Sequence, residues 1–226
     1  MKPSKSERSE TPVEGVAALH EVNGSFLWQP APVIVVISGP SGAGKDSVIN
    51  EVRKVDGSIH FVVTATSRPR RSNEEDGRDY HFFSREEFEE RLRRGEFLEY
   101  AIVYGDYKGV PRWELTQALE CGQDVVLRVD VQGARTLRSI LPDAVFVFIM
   151  AESEQEHLRR MRGRGSEDDS ALADRLARLR QELQAVPEFD YVLINRCDAL
   201  EQTAAQLKGI IATEKLRVNR TRPRIG

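Results

Sequence analysis

The sequence predicts an α/β fold in which a mostly parallel sheet is flanked by helices, and three observations predict it. Short runs rich in β-branched and aromatic residues alternate along the chain with longer segments of helical periodicity. Residues 33–37 are apolar throughout, which is typical of a strand buried on both faces. A glycine-rich turn and then a helix-like segment follow that strand directly. The 226 residues, of which 40% are hydrophobic, are enough for one large domain.

Each element has its own signal in the sequence. Apolar runs predict strands at residues 33–38, 61–65, 97–104, 125–131, 145–150 and 191–195. Apolar residues at helical spacing predict helices at 47–55, 133–141, 170–186 and 200–211. A further helix begins at the capping box formed by Ser84 and Glu87 and stops at Gly95. Pro142 and Pro187 close two of these helices, because proline cannot continue a helix.

Composition excludes several classes of protein. The 33 basic and 36 acidic residues give a net charge of −3, which argues against a general nucleic-acid binder. No apolar run approaches the ~20 residues that a membrane-spanning helix needs. The two cysteines, Cys121 and Cys197, lie far apart and lack a metal-ligand spacing, so we expect free, buried thiols in a reducing compartment.

The two ends of the chain differ from its middle. Residues 1–32 are predicted to be a flexible segment, with residues 1–15 disordered, because they are polar and largely lack apolar side chains. The segment has neither the apolar stretch of a secretory signal nor the acid-poor composition of a transit peptide. Residues 213–226 form a basic tail that we expect to be solvated. We expect a cytoplasmic protein, with a plastid or mitochondrial location as the alternative.

Residues 39–45 match the pattern G-x-x-x-x-G-K between a predicted strand and a predicted helix. Glycines let successive backbone N–H groups turn toward one anion, and the N-terminal end of the next helix adds positive potential. Lys45 then reaches the β- and γ-phosphates of a nucleoside triphosphate. The predicted ATP-binding residues of this P-loop are Gly39, Pro40, Ser41, Gly42, Ala43, Gly44, Lys45, Asp46 and Ser47.

The residue after the lysine departs from the usual P-loop pattern. A serine or threonine commonly places its hydroxyl on Mg²⁺ there, whereas this chain has Asp46 followed by Ser47. Two alternatives remain open: Ser47 takes the metal-binding role, or Mg²⁺ is held mainly by the nucleotide and water. Asp46 then either holds those waters or is a solvated acid that favours the helix dipole.

Four further motifs follow the P-loop in order, at residues 64–71, 74–83, 95–100 and 129–133. Together with the P-loop they resemble the guanylate kinases over about residues 33–212, and residues 103–111 resemble the plant organellar type. The resemblance implies a P-loop NTPase fold with a β-stranded GMP-binding insert at about 66–115 and a helical lid at about 160–182. It also implies that ATP, with Mg²⁺, phosphorylates GMP and dGMP in purine nucleotide metabolism.

The resemblance assigns seven residues to GMP: Thr64, Arg68, Arg71, Tyr80, Glu99, Lys108 and Asp130. Guanidinium forks and the Tyr80 phenol suit the GMP phosphate. Lys108 stands where the common family form has a second tyrosine, and its charge preserves phosphate binding. Arg70 stands where proline is common, so either Arg70 or Arg71 faces solvent.

Glu99 is the residue that the resemblance assigns to the guanine base. The pairing edge of guanine offers two adjacent donors, N1–H and N2–H₂, which one carboxylate accepts together. Adenine presents an acceptor there, and such a mismatch is worth roughly 10⁴-fold in discrimination. Val110 replaces a family serine or threonine that contacts guanine, so recognition depends more on Glu99 and Thr64.

The resemblance also assigns the catalytic residues: Lys45, Arg160, Arg164 and Arg175. The three arginines belong to the lid and offset charge on the transferring phosphoryl group, so no protein base is needed. Asn195 matches an asparagine near the adenine of ATP. Arg128 replaces a family acid two residues before Asp130 and is expected to pair with Asp130 or with Asp46.

Two other functions remain as alternatives to an active guanylate kinase. One is a non-catalytic module that binds phosphoproteins in the old GMP pocket, although such modules tend to lose the P-loop lysine and lid arginines. The other is a P-loop kinase of similar architecture that acts on another small phosphate ester. For the kinase we expect ATP and GMP as the only partners, no nucleic acid or membrane, and a monomer or homodimer.

Overall fold

The structure of the protein is a computed structural model that describes residues 11–13, 16–22, 25–103, 105–162 and 169–225. Its strands are β1 Thr11–Val13, β2 Val16–Val22, β3 Ser25–Trp28, β4 Ile34–Ser38, β5 His60–Phe61, β6 Ala65–Thr66, β7 His81–Phe82, β8 Phe97–Val103, β9 Asp106–Pro111, β10 Val125–Arg128, β11 Val145–Ala151 and β12 Tyr191–Asn195. Its α-helices are α1 Lys45–Val55, α2 Arg85–Arg93, α3 Arg112–Glu120, α4 Val131–Ile140, α5 Glu154–Arg162, α6 Asp169–Leu183 and α7 Leu200–Glu214.

The centre of the fold is a five-stranded sheet in the order β12-β11-β4-β10-β5, with every neighbouring pair parallel. Alternate side chains of β4 point into two apolar clusters. Val35 packs on one face with Val48 of α1 and Leu207 of α7. Val36 packs on the other face with residues of α3 and α4, among them Leu137. The predicted α/β fold with a parallel sheet is therefore confirmed.

A second, four-stranded sheet in the order β7-β6-β9-β8 lies between β5 and α3 in the chain. Helix α2 covers it and begins with the predicted capping box. The Ser84 hydroxyl accepts from the Glu87 N–H at 3.1 Å, and the Glu87 carboxylate accepts from the Ser84 N–H at 2.8 Å. Phe88 of α2 is fully buried and stacks on Phe97 and Tyr107, which fixes the helix on the sheet.

A carboxylate between two histidines joins the two sheets. Glu114, in the first turn of α3, accepts from Nε2 of His60 and from Nε2 of His81, each at 2.7 Å. His60 belongs to the edge of the central sheet and His81 to the second sheet. Burial raises the pKa of Glu114, but the bonds from His60, His81 and the Val63 N–H outweigh it and bring the pKa down to about 2.

Both chain ends differ from what the sequence predicted. Within residues 1–32, expected to be flexible, β1, β2 and β3 form a small antiparallel sheet, and the indole N–H of Trp28 donates to the Lys215 carbonyl. The expected disorder of residues 1–15 falls mostly outside the described residues. The basic tail is docked rather than solvated, because Arg220 pairs with buried Glu214 and Arg222 donates to the Leu119 carbonyl.

Several helices and strands were not predicted, and two predicted strands have other bounds. The sequence analysis missed β7, β9, α3 and α5 as well as β1, β2 and β3. The single strand predicted at 61–65 is two short strands, β5 and β6, which belong to different sheets. The strand predicted to reach residue 131 ends at Arg128, because Asp130 caps α4 by accepting from the Gly133 N–H at 2.7 Å.

Cys121 and Cys197, expected to be buried, are free but exposed, since they lie in turns. Among the described residues, no helix is both long and apolar enough to cross a membrane.

Replacing Glu114 with glutamine should destabilise the protein by about 1–3 kcal/mol at pH 7, because the two histidines bond to different carboxylate oxygens and glutamine replaces one of these oxygens with an NH₂ donor. A carboxylate whose pKa is lowered in the folded state stabilises the protein above its unfolded pKa, and that stabilisation disappears as pH falls. The difference between wild type and E114Q in urea unfolding should therefore shrink from pH 7 toward pH 3. Glu120→Gln, at an exposed position of the same helix, is the control. Equal stability of wild type and E114Q at pH 7 would contradict a stabilising role for the bonds from His60 and His81 to Glu114.

Candidate active site

The carboxyl ends of β4, β10 and β5 meet beside the second sheet and enclose a cavity of about 290 Å³. Loops at this edge of a parallel sheet commonly form ligand sites, because successive strands end there side by side. Six of the residues predicted for the site line the cavity: Lys45, Thr64, Tyr80, Glu99, Lys108 and Asp130. Residues far apart in the sequence are therefore brought to one place, as the motifs required.

The P-loop follows β4 and depends on glycine at two points. A Cβ on Gly39 would lie 1.9 Å from the Ile149 carbonyl oxygen, and the residue has a φ of +137°. Gly44, the left-handed N-cap of α1, faces Asn195 so closely that a Cβ would lie 2.3 Å from its Nδ2. In this compact loop the Lys45 ammonium donates to the Gly39 carbonyl at 2.5 Å and to the Pro40 carbonyl at 3.0 Å.

Side chains from β12 and α5 hold the outside of the P-loop. The Asn195 amide donates to the Ala43 carbonyl at 2.9 Å, and Arg160 donates to the same carbonyl at 3.4 Å and to the Asn195 carbonyl at 3.0 Å. Buried His157 accepts from the Ala151 N–H through Nε2, so its Nδ1–H donates to the Ser41 carbonyl at 3.2 Å. Burial lowers the pKa of His157, which keeps the ring neutral. The sequence analysis missed His157, because its bond to the P-loop joins residues 116 positions apart in the chain.

The electrostatic environment of Lys45 favours an incoming anion. Burial, followed by the charge of Arg128, lowers the pKa of Lys45 to about 8. Asp46, Asp130 and Glu182 of α6 act in the opposite direction but do not outweigh these effects. Burial also raises the pKa of Glu182, a residue that the sequence analysis missed. The P-loop therefore holds a buried cation whose charge the neighbouring acids only partly compensate.

Asp46 and Arg128 form an ion pair, which decides between the two partners left open for Arg128. Among the described residues, no group of three histidine, cysteine or acidic side chains has the geometry of a metal site. The Asp46 carboxylate is committed to a guanidinium, so the residues here do not form a protein cage for Mg²⁺. Ser47 lies exposed in the first turn of α1, and its metal-binding role stays a prediction.

Glu99 lies on β8 opposite Val110 of β9, with its side chain at the wall of the cavity. Burial, and then the nearby charge of Asp130, raise the pKa of Glu99 to about 7. Gly133 of α4 makes room for this carboxyl, because a Cβ there would lie 3.1 Å from Glu99 Cδ and Oε1. The motif contained Gly133, but its spatial role could not be read from the sequence.

Tyr80 and Lys108 line the cavity, and Arg68 lies beside Tyr80 without lining the cavity itself. The Arg68 guanidinium lies 5.1 Å from the centre of the Tyr80 ring, and the Lys108 ammonium lies 5.8 Å from it. Arg68 also binds Glu74 through both terminal nitrogens, at 2.8 and 2.5 Å. The sequence analysis missed Glu74, which occupies the guanidinium as a phosphate would.

The neighbouring arginines face outward. Arg71 is exposed, and its backbone N–H donates to the Glu74 carboxylate at 2.9 Å. Arg70 is exposed as well and donates to the Glu74 carbonyl at 3.1 Å. Both therefore shape the turn around Glu74, and the phosphate-binding role expected for Arg71 stays a prediction.

The structure describes two of the three arginines that were predicted to belong to a lid. Arg160 contacts the P-loop as described above, and Arg175 lies on α6, two turns before Glu182. Arg164 lies outside the described residues. An ion pair between Arg180 and Glu154 links α6 to α5, at 3.0 Å.

Comparison with known proteins gives a consistent result. The sequence model of the family described as guanylate kinase matches residues 31–214. Guanylate kinase 2, chloroplastic/mitochondrial, from Oryza sativa subsp. japonica is 47% identical over 192 residues, covering 84% of this chain and 67% of the relative. The guanylate kinase of Clostridioides difficile (strain 630) is 38% identical, covering 83% and 91%. The crystal structure of guanylate kinase from Anaplasma phagocytophilum superposes with a TM-score of 0.68 at 32% identity, covering 84% and 90%.

In the ligand-free protein the Glu99 carboxyl should titrate near pH 7, and Asp130→Asn should lower its pKa, because the substitution removes a neighbouring negative charge. Heteronuclear NMR of the side-chain carboxyl carbons measures both values. Asp143→Asn, on the opposite side of the sheet, serves as the control for an acid distant from Glu99. A Glu99 that titrates in the ordinary range of a glutamate, about 4, would contradict its placement.

Proposed function

The chain belongs to the guanylate kinase family, and we propose that the cavity at the carboxyl end of its central sheet holds GMP beside the triphosphate of ATP. The reaction is the ATP-dependent phosphorylation of GMP to GDP. This assignment depends on one observation: a P-loop lysine, a buried carboxyl and further cations line the same cavity. The carboxyl and the further cations suit a nucleoside monophosphate, and the P-loop lysine suits the triphosphate of the phosphoryl donor.

The guanine base is proposed to bind at Glu99. A carboxylate in its ionised form accepts N1–H and N2–H₂ together, whereas adenine leaves the charge unpaired. Val110 contributes an apolar wall and no donor, since it is buried against Glu99. Thr64 supplies the hydroxyl at this end of the cavity. None of these groups is assigned to the ribose 2′-hydroxyl, so we propose dGMP as a second acceptor.

The phosphate of GMP is proposed to bind between Arg68, Tyr80 and Lys108, with Arg71 completing the set. Glu74 already shows that the Arg68 guanidinium can hold a two-oxygen anion bidentately. GMP then either displaces Glu74 or shares the guanidinium with it. Lys108 contributes a point charge, which needs less exact geometry than a guanidinium fork.

ATP is proposed to bind with its phosphates in the P-loop. Lys45 exchanges the carbonyls of Gly39 and Pro40 for phosphate oxygens, and Asn195 and Arg160 keep the loop in shape. Arg160, Arg164 and Arg175 offset negative charge as the phosphoryl group moves. Mg²⁺ usually binds substrate phosphates and keeps several waters, so we propose that it enters with ATP. Its role is to neutralise charge on the phosphates.

Location and assembly are also proposals. We propose a cytoplasmic enzyme that acts as a monomer or homodimer and binds neither nucleic acid nor membrane. The alternative is an organelle, and the rice relative named above carries chloroplastic/mitochondrial in its name. Four glutamates in the first 32 residues favour the cytoplasm, because transit peptides are poor in acids: Glu7, Glu10, Glu14 and Glu21.

The pH dependence of GMP use tests the role of Glu99. Below pH 7 the carboxyl becomes protonated, so kcat/KM for GMP should fall by up to about tenfold per pH unit. Glu99→Gln should lower kcat/KM for GMP at neutral pH and relax the preference over AMP. In the pH profile of E99Q, the only remaining decrease in kcat/KM should come from protonation of the GMP phosphate, whose second pKa is about 6. An unchanged profile and unchanged selectivity in E99Q would contradict guanine recognition by Glu99.

Arg68→Ala should raise KM for GMP by about 10- to 100-fold, because it removes a charge-assisted, bidentate phosphate contact. KM for ATP should change little. Arg70→Ala is the matched control, since Arg70 binds only the Glu74 carbonyl from outside the cavity. Steady-state kinetics with each substrate varied in turn measures all three values. A larger effect of R70A than of R68A would mean that the phosphate site has been assigned to the wrong arginine.

A further inference from the structure

Arg128 stands at the junction between the two proposed substrate sites. Strand β10 lies between β4, which leads into the P-loop, and β5, which leads to Thr64. Arg128 is the last residue of β10 and pairs in register with Ile37, close to the end of β4. Its side chain lines the cavity proposed for GMP and also an adjoining cavity of about 250 Å³, which Asp46, Arg53 and Tyr80 share. A group placed here faces both the donor and the acceptor.

Arg128 lies among other charged side chains. Its guanidinium donates through Nη1 to the Asp46 carboxylate, and a guanidinium carries five N–H donors in all. Its charge contributes, after burial, to the lowered pKa of Lys45 and to that of Arg53 on α1. Lys45, Arg53 and Arg128 thus lie close enough to repel one another, although Asp46 acts on both other cations and Asp130, Glu182 and Asp79 each act on one of them. An anion with several oxygens would relieve this repulsion.

We propose that Arg128 is a catalytic residue that contacts the phosphoryl group in transit, and that Asp46 is a positioning residue that holds its guanidinium there. The inference rests on the function proposed above and adds to it a residue on the rigid sheet rather than on the lid. Asp46 is more exposed than Arg128, with 59% of its side chain accessible against 33%, so the guanidinium is the more buried member of the pair.

The reaction shows what the guanidinium does. An oxygen of the GMP phosphate forms a bond to the γ-phosphorus of ATP, and the bond from that phosphorus to the bridging oxygen breaks. The electron pair of the broken bond stays on that oxygen, which becomes part of ADP, and no proton is taken from the protein. The charge of the moving group is spread over its three equatorial oxygens, and in the proposed arrangement the Arg128 guanidinium donates to them.

A different account of the same ion pair makes the opposite prediction. If Arg128 only neutralises Asp46, so that a carboxylate beside the P-loop does not repel phosphates, removing both charges should restore activity. If Arg128 acts on the phosphoryl group, removing Asp46 as well cannot replace it. The double variant therefore separates the two accounts.

The experiment compares the wild type with Arg128→Gln, Asp46→Asn and the double variant in steady-state kinetics with ATP and GMP. R128Q should lower kcat by about 100-fold, as loss of one preorganised transition-state donor does, with KM for GMP nearly unchanged. D46N should lower kcat by about tenfold, because the guanidinium loses its anchor. The double variant should be as slow as R128Q. Arg94→Gln, which breaks an exposed ion pair with Glu90 far from the cavity, is the control.

A second readout does not depend on turnover. Aluminium fluoride with ADP and GMP mimics the transferring phosphoryl group, and it should tighten ADP binding to the wild type and to R94Q but not to R128Q. Thermal unfolding checks that each variant is folded. Recovery of kcat in the double variant, or fluoride-dependent tightening in R128Q, would overturn the inference while leaving the kinase intact. A folded wild type that fails to phosphorylate GMP would instead overturn the proposed function, and the inference with it.

Discussion

The close approach of the P-loop backbone to its neighbours is the constraint on which the rest of the site depends. Gly39 touches the carbonyl of Ile149, and Gly44 touches the amide of Asn195, so neither position has room for a side chain. The loop curls against β11 and β12, which continue past the end of β4: Ser38 pairs with Phe148, and β11 runs on to Ala151 beside Asn195. Its curl directs the Lys45 ammonium inward and gives Asn195, Arg160 and His157 fixed carbonyls to hold. Phosphate binding is thus prepared by backbone geometry before any ligand arrives.

Base recognition depends on a different kind of preparation. Glu99 is buried near Asp130, so its negative charge is disfavoured until something offers donors to it. Guanine offers two adjacent donors, and the ionised carboxylate then becomes the favoured form. Ionised Glu99 therefore discriminates between bases, because a base without those donors does not offset the free energy of burying its charge. Gly133 keeps the carboxyl within reach of the cavity.

The sequence predicted what local patterns encode. The parallel sheet, the capping box at Ser84 and six residues around one cavity followed from periodicity, spacing and the family motifs. Contacts between distant segments could not be predicted in this way, and they include the bond from His157 to the P-loop and the bonds from two histidines to Glu114. The Arg68–Glu74 pair is local, but its motif was interpreted only in terms of phosphate binding. The pairing of Arg128 with Asp46 was one of two alternatives until the strands fixed their separation. The exposed cysteines and the docked tail differ for the same reason, since burial is decided by tertiary packing.

The measurement that tests this account most directly is a coupled assay of ADP release with ATP, Mg²⁺ and each of GMP, dGMP, AMP, UMP and CMP. The account predicts rapid turnover with GMP and dGMP and little with the other three, because only guanine satisfies the carboxylate in the cavity. Comparable turnover with AMP would contradict recognition by Glu99. No turnover with any acceptor, in a folded protein that still binds GMP, would contradict catalysis at this P-loop and favour a binding module.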